Sequence, residues 1–403
     1  MDRRKFLQAG AGGFALAGSG LLLPRALAAA DLPSGAVSSG VLEALTGKQP
    51  LIKRSYRPPN FETPVEHLGS AITPNDRFFV RWHLSTIPEI SAANWRLKVG
   101  GNSVERPFQL SFDQLRSDFE AVEITAVCQC SGNRRGLSDP HVPGVQWAYG
   151  AMGNARWRGA RLKDVLARAG LKADALEVSY DGADSGALEK TPDFIKSLPM
   201  WKALDENTLI AYAMNGEPLP HWNGYPARIV VPGWTATYWL KQVVAINVEP
   251  RPEKNFWMST AYRIPKGKFP ITDRFLSQEG EANTPITEMV VNSLITNVKT
   301  SARLRTGQAH SIRGVAWDGG YGIRSVEVSL DGGNNWATAE LEADLGRFSF
   351  RTWQYTHTPA KSGKLTIMAR ATNRQGSSQT RELIFNPAGY HNNVMERLEV
   401  DVL

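Results

Sequence analysis

Between Ile323 and Trp336 the sequence reads IRSVEVSLDGGNNW. Val326, Val328 and Leu330 alternate with Ser325, Glu327 and Ser329. A period of two places apolar side chains on one face of an extended chain and polar ones on the other, whereas a helix repeats its apolar face about every 3.6 residues. This stretch is therefore committed to a half-buried strand, and Asp331-Gly332-Gly333 supplies the hairpin turn after it. KLTIMARATN (364–373) repeats the pattern, with Leu365, Ile367, Ala369 and Ala371 facing inward. Such strands, recurring from about residue 285 onward, predict a β-sandwich of immunoglobulin type over 280–403. It holds no cysteine and no dense set of titratable groups, so it is expected to pack and associate rather than catalyse.

The preceding sequence has a different texture. From about 76 to 250 short strand patterns alternate with turns and a few helices. RFFVRWHLS reads as a strand, and ARIVVPGW as a buried strand ended by Pro-Gly. ARLKDVLARAG reads as a helix: Leu162, Val165, Leu166 and Ala169 share a face and Gly170 caps the end. The proline-rich stretch 249–275 reads as a connection, and 31–75, rich in Pro, Gly and Ser, as an extended arm. The chain is thus predicted to be α+β, a mixed α/β domain over 76–265 followed by the sandwich; 403 residues leave room for two to three domains.

The N-terminus places Arg3, Arg4 and Lys5 ahead of an apolar run from Ala9 to Leu23. Small residues follow, with an A-x-A site at 26–28 or 28–30. Residues 1–30 read as a secretory signal, and the paired arginines before Phe6-Leu7 as one of twin-arginine type. That implies a protein exported folded to the bacterial periplasm with its cofactor already loaded. No other segment is long and apolar enough to span a membrane, so a soluble mature protein is expected. The formal charge of +7 falls to +4 once these 30 residues are set aside, leaving 42 basic and 38 acidic residues. This is too little to argue for nucleic acid, and it suits a small anionic substrate or an acidic partner.

The only two cysteines, Cys128 and Cys130, lie in AVCQCSGNRRG. On an extended chain they would point to one side about 7 Å apart, at the edge of disulfide reach. Two thiols alone make no zinc site, and C-x-x-C-H is absent, so no c-type haem is expected on this chain. A thiolate is the ligating form of cysteine, and nearby arginines favour it. Arg134 and Arg135 follow closely, and Gly132 permits a turn that could fold them back toward the sulfur. A soft metal ligand beside an oxyanion pocket is one reading; a buried structural cysteine before a charged turn is the other.

CSGNRR (130–135) resembles, without a gap, the C-[AS]-G-N-R-R cofactor signature of the sulfite oxidase family of molybdenum enzymes. FFVRWHLS is similar to the family's strand carrying R-N-H, with Trp82 where Asn is usual. NGEPLP with GYPARIVVPGW resembles its pterin-binding stretch, and GVAWDGGYGIRSVEVSLDGG its C-terminal dimerisation domain. The resemblance runs from about 76 to 390. It implies oxidation of sulfite to sulfate at a molybdenum-molybdopterin centre, with electrons passed singly to a c-type cytochrome. The cytochrome would be a haem subunit in a heterodimer, or a separate protein serving a homodimer. A sulfane dehydrogenase of a thiosulfate-oxidising complex shares the signature. A molybdenum sulfoxide reductase fits it less well, and a non-enzymatic exported binding protein is the alternative of another class.

Carried over residue by residue, the resemblance makes Cys130 the thiolate ligand to molybdenum and Cys128 a buried small apolar residue. Arg81, His83 and Arg135 would line the oxyanion pocket, Arg81 and His83 on one strand face with Trp82 opposite. Tyr262 would donate a hydrogen bond near the metal, and Trp147 would form an aromatic wall. Arg228 and Lys241 would grip the anionic tail of the pterin, and Asp181 would hold its ring. Asn223 stands where the family has histidine, five residues before the arginine, with His221 nearby. His67, His141, His310, His357 and His391 show no metal-ligand spacing and read as structural.

Overall fold

A computed structural model describes residues 41–266, 280 and 282–403. The signal segment, the first part of the arm and 267–279 lie outside the described residues. Among those described, no helix is long and apolar enough to cross a membrane.

Two sheets form the body that precedes the sandwich. One has the order Lys196–Pro199, Glu177–Gly182, Val243–Glu249, Arg96–Gly100, Phe108–Ser111, with Val243–Glu249 and Arg96–Gly100 parallel and the other pairs antiparallel. The other orders Glu217–Pro218, Leu209–Met214, Met152–Arg161 and Ala121–Gln129, with Arg228–Val230 also pairing Leu209–Met214. The expected helix spans Leu162–Ala169, buries Leu162, Val165, Leu166 and Ala169, and ends at Gly170 with φ of 71°. Positive φ is the conformation that glycine adopts without penalty. These elements share one apolar core that also holds Cys128, Cys130, Trp147 and Tyr262.

The C-terminal region packs a four-stranded sheet on a five-stranded one. Val326, Val328, Ile367, Ala369 and Ala371 lie in its core, as their alternation requires. Leu330 and Leu365 are partly buried against it.

Two stretches differ from their sequence reading. Residues 41–75, expected as an extended arm, carry Leu42–Glu43, Leu51–Ser55 and Asn60–Glu62, which pair in sequence and then with Val80–Arg81. Buried Glu62 secures this small sheet: it accepts from the Ala148 and Gly150 amides at 3.0 and 2.8 Å and from Arg54 Nε at 2.7 Å. RFFVRWHLS keeps only Val80–Arg81 as strand. Its aromatic content is satisfied by burial: Phe78 is fully covered, and Trp82 packs with Leu51, Phe61 and Val80.

Candidate active site

The strand Ala121–Gln129 pairs along its length with Met152–Arg161, and Cys128 sits opposite Gly153. The chain then turns tightly. The Asn133 amide donates to the Cys130 carbonyl at 3.0 Å, the Arg135 amide to Gly132 at 3.0 Å, and Arg134 takes φ of 68°. Cys130 N bonds Ala151 O at 2.9 Å, and the Asn133 side chain bridges Tyr149 O and Ala151 N, each at 3.1 Å. Cys130 is thereby held at a fixed place where the sheet ends. A Cβ at Gly132 would fall 2.5 Å from the Arg135 guanidinium folded back over the turn, so any larger residue would have to displace that side chain.

A cavity opens above this turn. Its lining includes Cys130, Cys128, Arg81, His83, Tyr262 and Phe194, and it continues past Asn223, Arg228 and Lys241. Among the described residues, no carboxylate lines it. Both cysteines are free thiols. Arg81 Nη1 donates to Asn60 Oδ1 at 3.1 Å and to the Trp82 carbonyl, and Nη2 lies 3.5 Å from the Tyr262 hydroxyl. That hydroxyl shares a hydrogen bond with His83 Nε2. His83 stacks on Phe194, centroids 3.6 Å apart, with the Trp257 edge at 5.2 Å. Burial first, then Arg81, Lys241 and Lys196, hold the His83 pKa well below its ordinary value. His83 is therefore a neutral hydrogen-bonding group, not part of a cationic cage as its expected role in the oxyanion pocket implied.

The positive charge comes from elsewhere. Lys241 donates to Arg81 O at 2.7 Å, and its ammonium lies 4.3 Å from the centre of the Trp82 ring. Cation–π stabilisation gives a physical reason for tryptophan at 82. Lys241 is pushed down to about 7, chiefly by burial and next by Arg228, with Asp184 opposing. Arg228 spends Nη1 and Nη2 on the Asn223 and Trp239 carbonyls at 2.9 and 2.7 Å, yet its Nε finds no partner among the described residues. Ser131 Oγ and Thr237 Oγ1, on two other lining residues, are likewise buried without partners. Buried polar atoms are normally paired. Orphaned donors beside buried cations, facing a space without carboxylates, fit an anionic group rich in acceptors, and Cys130 offers it a soft sulfur.

The remaining expected residues are placed as follows. Arg135 does not line the cavity: Nε donates to Ala388 O at 2.8 Å, Nη1 to Val145 O at 3.2 Å, and the guanidinium lies 5.3 Å from the Tyr390 ring centre. Trp147 is fully buried outside the lining, its Nε1 unpartnered among the described residues. Asp181 lies within its strand rather than after it, also outside the lining. Its Oδ1 is likewise unpartnered, and burial, then Asp193, raises it to about 7. Asn223 lines the cavity, but its Oδ1 accepts from Lys48 Nζ at 2.5 Å and its Nδ2 donates to Phe79 O at 3.1 Å. Cys128 is buried as expected, but it faces the cavity, 4.0 Å from Arg228 Nη2. His221 is absent from the lining.

Sequence reasoning missed several residues. Lys48 is buried and bonds three oxygens near Asn223. Phe194 and Lys196 alternate with buried Leu198, and Lys196 Nζ, fully covered, donates to Trp257 O at 2.7 Å beneath the Tyr262 ring. A lysine in step with apolar neighbours was the available signal. Arg134 ties the turn to the sandwich through Val394 O at 2.8 Å and Ser293 O at 3.1 Å. The sandwich thus buttresses the site, rather than only packing and associating.

Comparison with known proteins matches both regions of the chain to domain families. Residues 83–257 match the oxidoreductase molybdopterin binding domain, and 283–403 the Mo-co oxidoreductase dimerisation domain. The chain is 35% identical to mitochondrial sulfite oxidase of Rattus norvegicus over 87% of its own length and 65% of that protein's. It is 35% identical to sulfite oxidase of Gallus gallus over 79% of itself and 70% of that protein. It therefore spans just under two thirds of the rat protein it matches. The sulfane dehydrogenase SoxCD from Paracoccus pantotrophus superposes with a TM-score of 0.73 at 28% identity, covering 85% of this chain and 84% of that one. Fold and domain matches place the chain among proteins that carry an oxidoreductase molybdopterin binding domain followed by a Mo-co oxidoreductase dimerisation domain. The chain belongs to the sulfite oxidase family.

Proposed function

We propose that this protein oxidises sulfite to sulfate and passes the electrons singly to a c-type cytochrome, in the periplasm after twin-arginine export. The observation that carries the substrate reading is the buried cationic space around Cys130, with Arg81 at its wall and no carboxylate among its described lining residues. When bound, the molybdenum-molybdopterin group supplies the oxygen-transfer and redox chemistry. Cys130 would hold it through sulfur, and Arg228, Lys241 and Ser131 would hold its anionic and acceptor atoms.

The chain's own residues then bind and orient. Arg81 offers donors to an oxyanion and, held by Asn60 and the Trp82 carbonyl, needs little rearrangement to do so. Tyr262 can donate a hydrogen bond without adding charge, and the hydrogen bond its hydroxyl shares with neutral His83 orients it. Phe194 stacks on the His83 ring and Trp257 meets it edge-on, which fixes the orientation of the imidazole.

Cys130→Ser is expected to keep the fold and the pterin but lose sulfite-dependent cytochrome c reduction. X-ray absorption on the holoenzyme should show one fewer sulfur around molybdenum in the variant. A variant that keeps most of its turnover overturns the ligand assignment. The likeness to the sulfane dehydrogenase favours a second reading, a sulfur atom carried on a protein partner. Turnover of free sulfite compared with that of a persulfide-carrying protein separates the two.

A further inference from the structure

Tyr390 belongs to the C-terminal region, yet it packs in the same core as Cys130 and Tyr262. Its ring lies parallel to that of Tyr262, centroids 5.7 Å apart and planes 9° apart. The Arg135 guanidinium is 5.3 Å from the Tyr390 ring centre. The Tyr390 backbone is clamped by one side chain: Asn386 Oδ1 accepts from its amide at 3.0 Å and Asn386 Nδ2 donates to its carbonyl at 2.7 Å. Beside it, the Ala388 carbonyl takes the Arg135 Nε–H at 2.8 Å.

Tyr262 needs such a support. Its φ is 58°, the left-handed region that a bulky side chain enters only when its surroundings over-determine it. One backbone bond, from the Ile286 amide to Tyr262 O at 2.8 Å, fixes its carbonyl. The side chain is fixed by His83 and Arg81 on the hydroxyl, by Lys196 5.3 Å from the ring centre, and by Tyr390 stacked parallel to the ring.

We propose that Tyr390 is the positioning residue that holds Tyr262 in register with His83 and Arg81, so that the C-terminal sandwich supplies a working part of the substrate pocket. It acts through its ring, since among the described residues its hydroxyl makes no hydrogen bond that fixes Tyr262. Arg135 contributes to the same support. Turned toward Ala388 O, it braces the segment carrying Tyr390 rather than the substrate.

This inference rests on the proposed sulfite oxidation, and the test keeps the two apart. Tyr390→Leu, Tyr390→Phe and Tyr262→Phe, with the double variant Tyr262→Phe/Tyr390→Leu, are prepared as molybdenum-loaded holoenzyme and assayed with sulfite and cytochrome c. Metal content and melting temperature are measured beside the kinetics. If the parent enzyme does not turn over sulfite, the functional reading fails, whatever the variants do. Given turnover, Tyr390→Leu should keep its molybdenum and lose about tenfold in kcat/KM, the scale of an aromatic pair's coupling. Tyr390→Phe should stay within about twofold, because the stacked ring remains. The double variant should lose no more than Tyr262→Phe alone. A crystal structure of Tyr390→Leu should show the Tyr262 hydroxyl parted from His83 Nε2, a readout independent of turnover. Additive losses in the double variant, an equal loss in Tyr390→Phe, or an unmoved Tyr262 in Tyr390→Leu would overturn the proposal.

Discussion

Arg81 shows how a single residue divides between sequence and structure. Its place on the wall of the cavity, beside His83, was what the family resemblance implied, and the strand pairing of Arg81 with Asn60 holds it there. Charge-assisted hydrogen bonds contribute about 1.5–3 kcal/mol each. Arg81→Met should therefore raise the apparent KM for sulfite by about tenfold or more while moving kcat less, as loss of ground-state binding does. Steady-state kinetics on the molybdenum-loaded variant checks this, and an unchanged KM removes Arg81 from the oxyanion site. His83 and Arg135 were legible as residues that matter, but not for what they do. The neutrality of His83 arises from burial beside Arg81, Lys241 and Lys196, two of which come from distant sequence. Arg135 faces away because Ala388, 253 positions on, offers it a carbonyl. Short motifs identify a residue; the charge on it and the partner it meets are set by chain that folds in from far off.

At the scale of elements, the strands that ladder the cofactor turn depend on one small residue. Gly153 faces Cys128 across the pair, and a Cβ there would lie 2.5 Å from the Phe78 ring, which also lines the cavity. Overpacking of this kind costs about 1–3 kcal/mol. Gly153→Ala should lower the melting temperature by several degrees and reduce cofactor loading together, because the displaced Phe78 moves into the space the cofactor needs; thermal melts and metal analysis read both. A stable variant with full molybdenum would mean that Phe78 yields freely. Regular elements were the legible part. The helix Leu162–Ala169 and the sandwich strands declare themselves by periodicity, a local property. The small sheet over 42–81 did not, since its strands are short and are held by Glu62 accepting from amides at Ala148 and Gly150. Lys48 and Lys196 stayed hidden for the same reason, since the oxygens each lysine bonds belong to residues far along the chain.

Across the whole molecule, the cofactor turn and the sandwich behave as one unit. Trp317 donates to Gln129 Oε1 at 2.6 Å, the Val127 amide to Phe348 O at 2.9 Å, and Asn392 to Arg134 O at 3.1 Å. Partly buried Glu396 sits in this junction, accepting from the Ile295 amide at 3.1 Å, with Arg134 nearby. Burial raises its pKa to about 7 from 4.5, against the opposing pull of Arg134 and that amide. A carboxyl whose folded value is raised favours folding most below its unfolded value, where both states are protonated, and loses that contribution as pH climbs through the folded value. Glu396→Gln removes the titration. The melting temperature of the parent protein should therefore fall relative to Glu396→Gln between about pH 4.5 and pH 7, and the gap should stay constant above that. Paired melts of the two proteins across the window read the difference directly. A gap that is flat throughout would mean the carboxyl titrates as it does in water, and that solvent reaches the seam between sandwich and cofactor turn. If the gap opens as expected, the junction excludes water, and the arginine pair of CSGNRR serves first to seat the sandwich against the cysteine that carries the site.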